Sequence, residues 1–217
     1  MKPALKKSLF LHIYIYIAGL LILSLFQMHE WDGPRLKGGV FLILLYIMWI
    51  LVESKIITSR DFKKEKSSAD KGTFSLYAIC RGLTLISALT IPGAGKTSGI
   101  LIFEGLFLFI LGAVLRTWAI LVLGEYYSHV VRINKNHRVV DKFPYNIIRH
   151  PSYTGMFIAH LGFVIFFFNW ISFLVLWALF LPAIIIRIVV EEQELTDNLK
   201  EYAAYKKNKK RLFPYIW

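Results

Sequence analysis

Three groups of residues in the C-terminal half have types and spacings suited to chemistry. The first is Arg149-His150-Pro151-Ser152-Tyr153-Thr154-Gly155. Proline suits the first turn of a helix, where its missing N–H costs nothing. Arg149 and His150 therefore stand just before a helix start, where backbone N–H groups and the helix dipole favour a carboxylate or another anion. The second group is Arg187 with Glu191-Glu192. Residues four apart share a helix face, so Arg187 and Glu191 make either an interfacial ion pair or a cation and an anion presented together to a ligand. Glu191, Glu192 and Glu194 concentrate negative charge, and a sulfonium or ammonium group is a physical reason to tolerate it. The third group is aromatic: Tyr126, Tyr127, Tyr145, Tyr153, Tyr202 and Tyr205. At least half of these suit an interfacial belt. The same ring faces would also stack on an adenine or hold a methylsulfonium by cation–π contact.

Other signals point away from chemistry. His129, His137 and His150 lie in one polar region, but no His-x-x-x-His pair or cysteine cluster accompanies them, so no metal site is expected. Cys80 is the single cysteine and reads as a small buried apolar residue. Gly93-Ala94-Gly95-Lys96-Thr97 looks like the end of a phosphate-binding loop, yet Thr90 stands where that motif needs glycine; a turn between helices is expected. The net charge of +12 does not point to nucleic acid, because no basic recognition helix or ribonucleoprotein-type motif accompanies it.

The elements that must position these residues are apolar. Of 217 residues, 56% are hydrophobic and 18% charged, and the apolar residues fall in long blocks. A bilayer crossing needs about 20 such residues. The blocks predict spans at about 9–27, 40–58, 74–91, 100–122, 153–168 and 171–190, an all-α polytopic bundle of about six helices. Asn169-Trp170 is a natural turn that makes the last two a tight hairpin, and Pro182 is expected to kink the sixth. The first block is long for a signal peptide and lacks a small-residue cleavage site, so it reads as a retained span. Twenty Lys and Arg lie in the N-terminus, 59–73, 123–150 and the tail from Arg187, against Arg35, Lys37 and Lys96 in the opposite loops. The positive-inside rule then puts both termini in the cytoplasm. The chain reads as a single membrane domain, with 1–122 a helical scaffold and 123–217 the chemically loaded half.

The order His-Val-Val at 129–131, His137-x-Val139-Val140, Tyr145, Arg149-His150-Pro151-Ser152-Tyr153-x-Gly155, Arg187-x-x-x-Glu191-Glu192 and a Tyr-rich basic tail resembles the isoprenylcysteine carboxyl methyltransferase family over residues 123–217. The resemblance implies a cytosolic pocket for S-adenosylmethionine, with the lipid substrate entering from the bilayer. It implies cofactor contacts from His137, Arg138, Val139, Val140, Tyr145, His150, Pro151, Ser152, Tyr153 and Glu191. It gives substrate handling to Arg187 and makes Arg149 a further candidate near the chemistry, so that Arg149, Arg187 and Glu191 form the expected catalytic set. Arg132 and Lys142-Phe143-Pro144 depart from the family's usual pattern and bear on adenosine contacts and lipid specificity.

The absence of a triad or metal site agrees with such a reaction. A carboxylate acceptor is already ionised at pH 7, so no general base is needed. The work left is holding two molecules in line, worth on the order of 7–11 kcal/mol in favourable cases. An isoprenylcysteine or similar prenylated acid is the expected acceptor, with a phospholipid or other small lipid as the alternative. Two other classes remain: an NADPH-dependent sterol-type reductase, which shares an Arg-His-Pro-x-Tyr-x-Gly segment, and a non-catalytic transporter or scaffold, for which Arg81, Glu104 and Arg116 would mark a pathway.

Overall fold

The computed structural model describes residues 15–16, 18–25, 28–29, 31, 33–61, 70–91, 98–128 and 138–214, with the side chains of 57–61 excepted. The stretch 18–25 is helical. Beyond it lie α1 (Gly33–Asp61), α2 (Thr73–Thr90), α3 (Gly99–Leu123), α4 (Pro151–Phe166), α5 (Trp170–Asn198) and the short α6 (Tyr202–Lys207). Among the described residues the only β pairing is a parallel bridge between Ile148 and Lys210. Four helices, α1, α2, α3 and α5, are long and apolar enough to cross a membrane, and α4 is a shorter apolar helix. The chain is thus a multi-pass helical membrane protein. Five of the six expected spans coincide with these helices; about half of the first lies outside the described residues, as do Gly93 to Thr97, the His-Val-Val at 129–131, Arg132 and His137.

Local chemistry sets the helix ends. Ser98 caps α3 by accepting from the Leu101 N–H at 3.3 Å. Gly124, at φ +61°, ends it in a conformation that side chains disfavour. Pro151 is the first residue of α4. Asn169 caps α5 by accepting from the Ser172 N–H at 2.7 Å, and its amide donates to the Ser87 and Ile91 carbonyls. One residue therefore makes the expected α4–α5 hairpin turn and ties it to the end of α2. Ahead of Pro182 the helix widens into a π turn at Leu176–Phe180. A proline ring clashes with the carbonyl four residues back, and a π turn is a recognised way to absorb such a defect. The helix thus continues through to Asn198.

The tightest packing joins α3 to α4. A Cβ on Gly112 would lie 2.2 Å from the Ala159 backbone nitrogen, and one on Gly155 would lie 2.5 Å from that of Arg116. A Cβ on Gly162 would lie 2.4 Å from the Phe109 nitrogen. Only glycine admits this approach, the small-residue packing by which helices associate in lipid. Apolar outward faces, such as Phe103 at 70% and Trp170 at 68% exposure, suit lipid rather than water.

A polar cluster lies inside the bundle. The His160 Nδ1 pairs with the Met156 carbonyl at 2.9 Å, which leaves Nε2 to accept from Arg81 Nε at 3.2 Å. Arg81 also donates to the Tyr46 hydroxyl at 2.9 Å. His160 is thus a fully used acceptor.

Candidate active site

Where α3, α4 and α5 end on one side, they enclose a cavity of about 1040 Å³, counted out to its open mouth. Of the residues singled out from the sequence, Arg138, Val139, Val140, Tyr145, Arg149, His150, Ser152, Tyr153, Arg187 and Glu191 line it. Pro151 does not; it is buried at the start of α4, where it shapes the turn that presents its neighbours. All six tyrosines assigned in half or more to an interfacial belt, Tyr126, Tyr127, Tyr145, Tyr153, Tyr202 and Tyr205, line the cavity instead. A belt and a pocket at the same depth have the same composition, so the sequence could not separate them.

Arg187 and Glu191 share a face of α5 as expected, with Tyr153 between them. Its hydroxyl donates to Glu191 Oε2 at 2.8 Å and accepts from Arg187 Nε at 2.8 Å. Arg187 Nη1 donates to Asp70 Oδ1 at 2.9 Å and to Thr73 Oγ1 at 3.1 Å. Asp70 Oδ2 in turn accepts from the Phe74 N–H, binding the start of α2 to the same guanidinium. The fork of Arg187 is thereby held by protein groups on two of its nitrogens.

Arg116 reaches the cavity from α3. It pairs with Glu53 of α1 and donates to Ser152 Oγ at 3.0 Å and to the Tyr127 hydroxyl at 3.1 Å. Phe74 and Tyr77 of α2 line the cavity too. The first half of the chain therefore contributes walls and counter-charges, where the sequence suggested only scaffold. The available signal was the cost of intramembrane charge, which marked Arg116 but gave it no partner.

The carboxylates expected to act as a cluster divide their work. Glu192 is 1% exposed and spent on protein partners: Arg149 Nη1 lies 3.0 Å from Oε1, His150 Nε2 3.1 Å from the same oxygen, and Arg211 Nε 3.0 Å from Oε2. The tail that supplies Arg211 is pinned to the start of α4, because the Arg149 and His150 N–H groups donate to the Lys210 and Arg211 carbonyls at 2.8 and 3.0 Å. Thr154 Oγ1 donates to the Leu212 carbonyl at 2.7 Å. Glu191 remains on the cavity wall.

Several buried polar atoms on this wall have no hydrogen-bond partner: Arg149 Nε and the hydroxyls of Tyr77 and Tyr202. Buried polar groups are nearly always paired, so orphans on a cavity wall fit a polar ligand. Burial raises the phenol pKa of Tyr145, Tyr202 and Tyr205, with the Glu191 charge adding to the shift of Tyr145 and the Glu192 charge to that of Tyr202, so these rings stay neutral. Among the described residues no group of three His, Cys, Asp or Glu could hold a metal ion.

Fold and site together define a polytopic helical membrane protein whose cationic, tyrosine-lined cavity opens where its apolar helices end. Residues 105–197 match the sequence profile of the isoprenylcysteine carboxyl methyltransferase family. Protein-S-isoprenylcysteine O-methyltransferase B of Arabidopsis thaliana is 34% identical over 108 residues, 46% of this chain and 53% of that protein. The Schizosaccharomyces pombe protein-S-isoprenylcysteine O-methyltransferase is 38% identical over 104 residues, 45% of this chain and 42% of that one. The chain thus matches these curated relatives over about half of their length. A solved structure of the eukaryotic intramembrane Ras methyltransferase, an isoprenylcysteine carboxyl methyltransferase, superposes with a TM-score of 0.55 over 93% of this chain and 74% of that one. At 22% identity that likeness speaks for the fold alone.

Proposed function

We propose that the protein transfers a methyl group from S-adenosylmethionine to a lipid-like acceptor, most readily the carboxylate of an isoprenylcysteine or similar prenylated acid. The observation that carries this reading is one cavity that brings Arg149, Arg187, Glu191 and six tyrosines to a single wall, with donors left unpaired. The twenty-to-three distribution of basic residues turns this end of the bundle, and both termini, toward the cytoplasm. A polar cofactor then enters from water while the acceptor's chain stays among the helices.

When bound, S-adenosylmethionine supplies the methyl group on a sulfonium, and the rest of the work falls to the protein's own residues. Tyrosine faces offer π surface to a cation and to an adenine. Glu191, held by the Tyr153 hydroxyl, supplies fixed negative charge on the same wall. Arg149 Nε, lacking a partner, is the donor open to an acceptor carboxylate. Arg187, with two nitrogens held by Tyr153, Asp70 and Thr73, contributes charge and fixes Tyr153. His150 keeps Arg149's anchor Glu192 in place. Arg138, Val139, Val140, Tyr145 and Ser152 complete the proposed cofactor wall.

Calorimetric binding of S-adenosylhomocysteine to the detergent-purified protein tests the reading. Saturable binding is expected, weakened by roughly 10- to 100-fold in Glu191→Gln and in Tyr153→Phe, the scale of one charged hydrogen bond. No binding by a folded sample that does bind NADPH would overturn the methyltransferase reading in favour of a reductase.

A further inference from the structure

A second cavity, of about 640 Å³ counted to its open mouth, shares Arg149 with the first and is otherwise lined by residues 206–211. Five of those six tail residues are basic: Lys206, Lys207, Lys209, Lys210 and Arg211. Lys209 pairs with Asp141 at 2.6 Å and Arg211 with Glu192 at 3.0 Å, whereas Lys206, Lys207 and Lys210 have no carboxylate within ion-pair distance among the described residues. Arg149, with 8% of its side chain exposed and Nη1 3.0 Å from Glu192 Oε1, adds its charge to this wall. Three lysines without a balancing carboxylate, gathered with Arg149 and Arg211 around one cavity, call for an anion.

The depth of this cavity selects the anion. On α5, Ile186 and Val189 are 46% and 49% exposed, so the lipid-facing apolar surface continues to within a turn of Glu192. The bond from Arg211 to Glu192 fixes the tail at that level, and the Lys210 and Arg211 carbonyls are held by the N–H groups of Arg149 and His150. The basic cavity therefore sits where the apolar surface stops, which is the plane of lipid phosphates. Lys and Arg clusters at that plane attract anionic headgroups.

We propose that Arg149 and the 206–211 tail form a binding site for the phosphate of an anionic phospholipid. Arg149 lines both cavities, so the site shares a wall with the candidate active site while its binding test does not depend on catalysis. The full chain in detergent is titrated with phosphatidylglycerol, with phosphatidylcholine of the same acyl chains, and with inorganic phosphate, and bound lipid is counted by native mass spectrometry. Each basic residue at the surface is worth roughly fivefold in affinity. K206Q/K207Q/K210Q should therefore lose about a hundredfold in phosphatidylglycerol affinity at an unchanged melting midpoint. The exposed Lys207→Gln alone should lose about fivefold, and it guards against misfolding of the triple variant. Phosphatidylcholine should bind far more weakly, and raised salt should narrow the gap. Equal retention of the two lipids, or full phosphatidylglycerol affinity in the folded variants, would overturn the proposal. Displacement of the lipid by millimolar inorganic phosphate would overturn the lipid source and assign the site to soluble phosphate.

Discussion

Gly112→Ala tests how the site is held together. The added Cβ would lie 2.2 Å from the Ala159 backbone nitrogen, whereas ordinary contact begins at 3.4 Å, so α3 and α4 must part by about 1.2 Å locally. The obstacle is backbone, which cannot rotate away. Arg116 lies one turn further along α3 and donates to Ser152 Oγ of α4 at 3.0 Å and to the Ser152 carbonyl at 3.3 Å. A separation of that size takes both bonds beyond hydrogen-bond range. Overpacking costs about 1–3 kcal/mol, and loss of a charged hydrogen bond about 1.5–3 kcal/mol more. A total of roughly 2.5–6 kcal/mol corresponds to a fall in melting midpoint on the order of 5–25 °C for a chain of this size. Gly82→Ala is the control, because nothing lies within 4 Å of its Cβ position and alanine is the better helix former. Thermal unfolding of both variants in the same detergent gives the answer, and S-adenosylhomocysteine affinity should fall with stability only in Gly112→Ala. Equal midpoints for the two variants would refute the claim that α3–α4 contact positions the site.

Three further outcomes follow from the ion pairs and tyrosines. Glu192→Gln removes the one carboxylate shared by Arg149, His150 and Arg211 and should cost about 3–5 kcal/mol, the scale of a broken buried pair. Limited trypsin digestion should then cut faster at Lys206 to Arg211, and an unchanged rate would show that Glu192 does not clasp the tail. Asp70→Ala leaves Arg187 without its partner at 2.9 Å and unties α2, with an expected loss of roughly 3 kcal/mol. Asp70→Asn, whose one carbonyl oxygen keeps an acceptor for either the Phe74 N–H or the Arg187 guanidinium, should lose less in the same denaturation assay. Finally, burial raises the phenol pKa of Tyr145, Tyr202 and Tyr205 above the ordinary value of about 10. The stability this lends is fully present below pH 10 and is lost as pH rises toward the folded-state values. Absorbance at the tyrosinate band should show a subset of phenols that ionise only well above pH 10; a single homogeneous titration at pH 10 would contradict their burial.

The sequence by itself determined the helices, the hairpin and the membrane. Long apolar blocks can bury their backbone polar groups in lipid only as helices. Asn169 and Pro151 announce their turns through side chains that act on adjacent backbone, so local chemistry was enough. The motif order Arg149 to Gly155 and Arg187 to Glu192 likewise named most of the cavity wall, because those residues sit at helix ends that composition can locate.

Partnership was decided only by the tertiary structure. Nothing in the spacing of Glu53 and Arg116, 63 positions apart, or of Asp70 and Arg187, 117 apart, announces that they pair. Nor did spacing separate Glu191, which faces the cavity, from Glu192, which holds the tail, since adjacent residues on a helix point about 100° apart and only the neighbouring helices decide what each meets. The six tyrosines show the same limit. A ring at the membrane boundary serves belt or pocket equally well as composition, and only the folded chain brings these rings from separate segments around one cavity.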